Sequence, residues 1–259
     1  MAQLIETRVD EFVTALERDC AAAGRALDGL TVLLATKTQS PEAIRTAVNG
    51  FREHGLEVIV GENRVQELVA KAAVFAELGT PAHLIGPLQS NKINAALRAL
   101  FISDGTTEQS GHSIAPPRRP CIQTIASLDT AERIAARLRP EHRLDVMIQV
   151  NSSGEASKSG VAPESTLALA EQILQLSQLC LTGLMTIGPR DRDPDRTADA
   201  FLQVRTLRDE ISQLPSPDAH RCVHLSMGMS EDISAAIRCG STIIRPGRAI
   251  FGDRAAPPK

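Results

Sequence analysis

The sequence contains no tryptophan, no tyrosine and only six phenylalanines among 259 residues. Bases would find almost no aromatic faces to stack on, so a groove for single-stranded nucleic acid is not expected. The missing tyrosines also remove one kind of general acid and base. Positive charge is not in excess: 28 Lys and Arg stand against 31 Asp and Glu, a formal net charge of -3. That balance offers no attraction to nucleic acid or to an anionic membrane. No apolar run is long enough to span a bilayer. The N-terminus has no basic segment leading into an apolar core, so no secretory signal is expected. The five cysteines, Cys20, Cys121, Cys180, Cys222 and Cys239, are odd in number and form no CxxC pair. They predict reduced thiols packed as small hydrophobes in a cytoplasmic protein. Neither GxxxxGK[ST] nor GxGxxG after a strand is present, which removes P-loop and dinucleotide-binding readings. His220 and His224 flank an extended run rather than sharing a helical face, so they make no metal pair.

What is present is an alternation of short apolar runs with longer amphipathic stretches. Residues 3–24 open the chain as a helix, with Leu4, Ile5, Val9, Phe12, Val13 and Leu16 on one face. Strands are predicted at 31–36, 57–60, 83–85, 122–125, 144–150, 181–187, 222–225 and 242–245. Helices are predicted near 41–50, 62–77, 90–100, 129–139, 163–179, 196–213 and 230–239. Ser40-Pro41-Glu42, Asp129 and Ser230-Glu231 read as helix starts. Runs this apolar suit strands buried on both faces, as in a parallel sheet. Eight strands alternating with helices over one domain's length, 1–259, fit a (β/α)8 TIM barrel with an extra N-terminal helix. A doubly wound open sheet shares the same alternation. Residues 102–120, rich in Ser, Gly, Thr and Pro, read as a long loop insertion.

Only five lysines occur, and Lys71, Lys92, Lys158 and Lys259 read as polar or helix-surface positions. Lys37 differs, because it directly follows the strand run VLLAT. In a barrel the C-terminal strand ends form the active face, and a partly desolvated lysine there is an amine nucleophile able to form an imine. Polar residues and glycines follow the other strands: Gly61-Glu62-Asn63, Gly86 to Lys92, Asn151, Ser226 to Ser230, and Arg245 to Arg248. The loops after the seventh and eighth strands of a barrel often hold a phosphate on backbone N–H groups. Ser226, Gly228, Gly247 and the amides of Arg248, Ala249 and Ile250 suit that task. Glu62, Asp145 and Glu155 form no recognisable catalytic pair. An imine-forming lysine beside a phosphate cup fits either pyridoxal phosphate or a sugar-phosphate carbonyl, as in a class I aldolase.

The segments LLATKT (33–38), GENRVQEL (61–68), HLIGPLQSNK (83–92), KSG (158–160), GLMTI (183–187), LSMGMSEDISAAI (225–237) and GSTIIRPGRAIFG (240–252) occur in order across most of the chain. They resemble the pyridoxal phosphate homeostasis protein family. The resemblance implies the barrel of the alanine racemase N-terminal domain without the racemase's second domain. It implies binding, buffering and delivery of pyridoxal 5'-phosphate, with pyridoxal-phosphate-dependent apoenzymes as possible recipients, rather than catalytic turnover. A monomer is expected. Carried over by motif, Lys37 resembles the Schiff-base lysine and Asn63 lies beside the cofactor ring. Ser226, Met227, Gly228 and Gly247 resemble the phosphate segment, and Arg245 the residue facing the pyridine nitrogen. Pro246 and Arg248 depart from the family's small residue and threonine, and Arg248 is expected either to meet the phosphate or to point to solvent. The alternative is a racemase or decarboxylase. Two-base racemisation, however, needs a second acid/base group, which alanine racemase takes from a tyrosine of its other domain.

Overall fold

The protein is described by a computed structural model over residues 2–104, 119–140, 142–155, 159–189 and 193–252. Eight parallel strands close into a barrel in chain order: β1 (Thr31–Ala35), β2 (Glu57–Glu62), β3 (Ala82–Leu84), β4 (Cys121–Ile125), β5 (Leu144–Val150), β6 (Leu179–Thr186), β7 (His224–Ser226) and β8 (Ile243–Ile244). The open doubly wound sheet is thereby excluded. Around the barrel lie α1 (Ala2–Ala22), α2 (Pro41–Glu53), α3 (Val65–Glu77), α4 (Ile93–Asp104), α5 (Leu128–Ala135), α6 (Pro163–Ile173), α7 (Pro194–Ser212), α8 (Ile233–Arg238) and α9 (Arg248–Phe251).

Strand alternation builds two cores. Val32, Leu34, Val58, Val60, Leu84, Ile122, Val146 and Ile148 join the core between barrel and helices. Their neighbours Leu33, Ile59, Cys121, Met147, Met185 and Ile243 form a separate cluster that fills the barrel itself. This double burial is why the strand runs read as continuous apolar stretches. Helix α2 shows the local logic. The Ser40 hydroxyl accepts from the Ala43 N–H at 3.3 Å, Pro41 takes the first turn, and Ala43, Ile44, Ala47, Val48 and Phe51 line the buried face. Helix α1 packs on α2, α8 and α9 and so covers the outside of the β1–β8 seam.

Several boundaries differ from expectation. The acceptor that caps α5 is the Ser127 side chain, with Asp129 inside the first turn. Helix α8 starts after Asp232 rather than at Ser230, because Asp232 turns back to accept from the Met229 N–H. The stretch 163–179 is helical only to Ile173, since the chain turns before Leu179 to enter β6. Helix α4 continues to Asp104, three residues into the segment expected to be loop, and residues 105–118 of that segment lie outside the described residues. All five cysteines are free and buried.

Not everything inside the barrel is apolar. His83 and His224 project from β3 and β7 and are buried, and burial lowers their imidazoles to about 3 and about 4 respectively. Both are therefore neutral in the folded protein at neutral pH, and unfolding in acid lets each take up a proton. The stability they contribute is complete above the unfolded value near 6.5 and is lost as pH falls through the folded values. Urea titrations should accordingly give an unfolding free energy that declines from about pH 6.5 towards about pH 4, and the decline should be shallower in His224→Gln. Phe51 is fully buried, edge-to-face with Phe12 at 5.9 Å between ring centres. Phe51→Ala should cost about 3–5 kcal/mol in the same assay; a loss below about 1 kcal/mol would contradict the packing of α2 described above.

Candidate functional site

At the C-terminal rim of the barrel lies a cavity of about 820 Å³ lined by residues from the ends of every strand but β4. Lys37, Thr38 and Gln39 come from the β1 end, Asn63 from β2, Ile85, Gly86 and Pro87 from β3, and Gln149 and Asn151 from β5. Arg245, Gly247 and Arg248 follow β8, and Ser230, Glu231 and Asp232 follow β7. Five of the residues singled out in the sequence thus meet here: Lys37, Asn63, Arg245, Gly247 and Arg248. Ser226, Met227 and Gly228 do not line the cavity. Met227 is fully buried in the outer core, and its N–H donates to the Ile243 carbonyl at 3.1 Å. Gly228, at φ +96°, turns its carbonyl to accept the Arg245 N–H at 2.8 Å. Ser226 lies directly behind Arg245, whose Nη1 donates to its hydroxyl at 3.0 Å.

Lys37 is half-buried, and both of its neighbours are tied down. The Thr36 N–H donates to the Gly61 carbonyl, and the Thr36 hydroxyl donates to Glu62 Oε1 at 2.7 Å. On the other side the Thr38 N–H donates to Glu67 Oε2 at 2.7 Å. Thr38 has φ +64°, the sole positive value among the described non-glycine residues. A β-branched residue there stores about 1–3 kcal/mol of backbone strain. Lys71 closes the arrangement. Its ammonium donates to the Thr36 carbonyl at 2.8 Å, Glu62 Oε1 at 2.7 Å and Glu67 Oε2 at 3.1 Å. Lys71 is therefore no helix-surface lysine: its side chain is 11% exposed and that of Glu62 0%. The sequence hid this, because α3 presents Lys71 to the loop after β1 rather than to solvent. Burial pushes the Glu62 carboxyl up, against the hydrogen bonds from Lys71 and Thr36. Its second oxygen has no hydrogen-bond partner among the described residues.

Arg245 is the most deeply buried cation of the rim. Its Nη2 donates to the Thr186 carbonyl at 2.6 Å. Burial pulls its guanidinium down to about 10, opposed by the Asp232 carboxylate, so it stays charged at neutral pH. Behind it the Ser226 hydroxyl donates to Gln123 Oε1 at 2.7 Å, and Gln123 Nε2 meets His83 Nδ1 at 2.7 Å. Arg248 is 60% exposed and bonds Glu231 at 3.1 Å across the rim. Of the amides expected to cup an anion, that of Ile250 already donates to the Gly247 carbonyl and that of Ala249 to the Ser230 hydroxyl. Gly86 has its own geometric reason. A Cβ at that position would lie 2.0 Å from the Asn63 carbonyl oxygen, so only glycine lets the β3 loop approach the β2 loop this closely. Lys158 of the KSG segment lies outside the described residues. No group of three metal-ligating side chains exists among the described residues, and no described helix is long and apolar enough to cross a membrane.

The alanine racemase N-terminal domain family matches residues 60–255 of this chain. The pyridoxal phosphate homeostasis protein of Vibrio cholerae is 37% identical over 260 residues, covering 96% of each chain. That of Aquifex aeolicus is 34% identical, covering 95% of this chain and 97% of its own. Among solved structures, an unknown protein from Bifidobacterium adolescentis superposes with a TM-score of 0.82 at 35% identity, covering 96% of this chain and 95% of that one. PipY of Synechococcus elongatus with pyridoxal phosphate bound gives a TM-score of 0.69 at 30% identity, covering 92% and 99%. Alanine racemase of Clostridium difficile shares the fold, with a TM-score of 0.65 at 12% identity over 94% of this chain and 56% of its own. With its closed barrel, its rim lysine and these full-length relatives, the chain belongs to the pyridoxal phosphate homeostasis protein family.

Proposed function

We propose that this protein binds pyridoxal 5'-phosphate as a Schiff base on Lys37 and serves to hold and deliver it. The observation that carries the reading is the placement of Lys37 and the buried Arg245 guanidinium on one cavity, with small residues between them. A Cβ at Gly247 would lie 3.4 Å from the Ala35 methyl, in van der Waals contact with it, so the floor between the two cations is lined by small groups. The bound form of PipY supports the same ligand. When bound, the cofactor supplies an aldehyde for the lysine and an electron-withdrawing ring. The chain's own residues do the rest. Lys37 would anchor the cofactor, and Asn63 would flank its ring. Arg245 would donate toward the ring nitrogen, and a permanent donor there would leave that nitrogen unprotonated. Gly247, Ser230 and Arg248 border the phosphate end, while Ser226, Met227 and Gly228 shape it from behind.

A ring held this way is a weak electron sink, which suits storage better than turnover. The absence of any tyrosine points the same way, because the racemase type of second acid/base group is missing. On this reading the chain acts as one barrel domain, as a monomer in the cytoplasm, and passes cofactor to pyridoxal-phosphate-dependent apoenzymes.

Purified protein given pyridoxal phosphate should develop an imine absorption band at longer wavelength than the free cofactor's aldehyde. Lys37→Ala should lack it; a band of equal strength in that variant would refute the anchor. Incubation with α-deuterated amino acids should release no more deuterium than free cofactor does. Lys71→Met leaves the buried Glu62 carboxylate without its cation and should cost about 3–5 kcal/mol of stability. Adding Glu62→Gln should recover part of that loss, read as the urea midpoint of the double variant.

A further inference from the structure

The buried polar chain behind Arg245 runs in one direction. A guanidinium can only donate, so the Ser226 oxygen accepts from Arg245 at 3.0 Å. At the far end His83 Nε2 meets the Arg119 carbonyl at 3.1 Å, and a carbonyl can only accept. Between them the orientation of the Gln123 amide sets the order. The Ser226 hydroxyl donates to Gln123 Oε1 at 2.7 Å, which turns the amide nitrogen to donate to His83 Nδ1 at 2.7 Å. In this arrangement His83 is neutral, with its proton on Nε2. The low pKa that burial gives this imidazole agrees with that state. His83, Gln123, Ser226 and Arg245 are all nearly or fully buried and come from β3, β4, β7 and the end of β8. Two of the five guanidinium N–H groups are taken by Ser226 and Thr186, and the rest are those that can meet a ligand in the cavity Arg245 lines.

We propose that Gln123 and His83 are positioning residues which, through Ser226, fix the plane of the Arg245 guanidinium and so set the hydrogen bond it offers to the pyridine nitrogen of pyridoxal phosphate. The inference rests on the functional reading above. Nothing in the family motifs marks Gln123, which lies in the unremarkable strand CIQTI. The side chain acts as a relay because an amide carries an acceptor and a donor on one rigid plane. Leucine breaks the chain at both ends. Glutamate keeps the acceptor toward Ser226 and puts a carboxyl against His83 Nδ1, so that contact holds a proton shared between the carboxyl and the imidazole.

The experiment has an arm without cofactor and an arm with it. In the cofactor-free protein, long-range ¹H–¹⁵N spectra of the histidines should show His83 as the Nε2–H tautomer in wild type, with its Nδ1 resonance shifted in Gln123→Glu. A Nδ1–H tautomer in wild type, or an unmoved Nδ1 resonance in Gln123→Glu, overturns the relay. In the loaded protein, pyridoxal phosphate labelled with ¹⁵N at the ring should shift its nitrogen resonance in Gln123→Leu and bind about tenfold more weakly or worse. Met147→Leu, a volume-conserving change in the same barrel interior, should leave both unchanged. An unmoved ring resonance in Gln123→Leu, with cofactor still trapped on Lys37, also overturns the proposal. If Gln123→Leu does not fold, Gln123→Glu serves for the ring resonance as well. Wild-type protein that takes up no cofactor brings down the functional reading and with it the link to the ring, an outcome told apart from failure of the relay by the tautomer measured without cofactor.

Discussion

Closure of the sheet between β1 and β8 is the constraint on which the site depends. Thr31 pairs with Ile243 and Val32 with Ile244, and the Ala35 N–H donates to the Pro246 carbonyl at 2.9 Å. These bonds join the two ends of a long chain and bring Lys37 and Arg245 to adjacent positions on one rim. An open sheet would leave them on opposite edges. Helix α1, which precedes the barrel, packs across this seam and removes it from solvent. The same closure makes the interior dry, and the cost of burying a cation there is met only by directed acceptors.

The interior answers that demand with a polar layer set within apolar filling. Leu33, Ile59, Met147, Met185 and Ile243 occupy most of the barrel. Among the polar residues set within it, His83, Gln123, Ser226 and Arg245 are each bonded to the next. A second polar assembly, Glu62, Glu67, Lys71 and the backbone around Lys37, lies at the β1–β2 rim. One holds the cation that faces the cavity floor. The other holds, in a strained turn, the backbone from which the amine projects. Both are cases in which buried charge specifies a geometry more than it adds stability.

Much of the architecture was legible in residue order. The strand runs fell within a few residues of the strands because double burial demands uninterrupted apolar sequence, and Ser40 capped α2 as its spacing implied. Lys37 stood out because it follows a buried strand, at the rim where barrel sites form. The errors have physical causes. Asp232 rather than Ser230 precedes α8 because its carboxylate is recruited by the Met229 N–H. Lys71 read as a surface residue because helical periodicity does not say that a loop will cover the helix.

By itself, the sequence determined the fold class, the order of strands and helices, the lysine at the rim and the family, because apolar periodicity and short contiguous motifs carry those properties locally. Only the tertiary structure decided which polar residues work together. Gln123 and Ser226 are 103 residues apart and share a 2.7 Å hydrogen bond. Closure of the barrel places them face to face, and the low dielectric inside it obliges every donor there to find an acceptor.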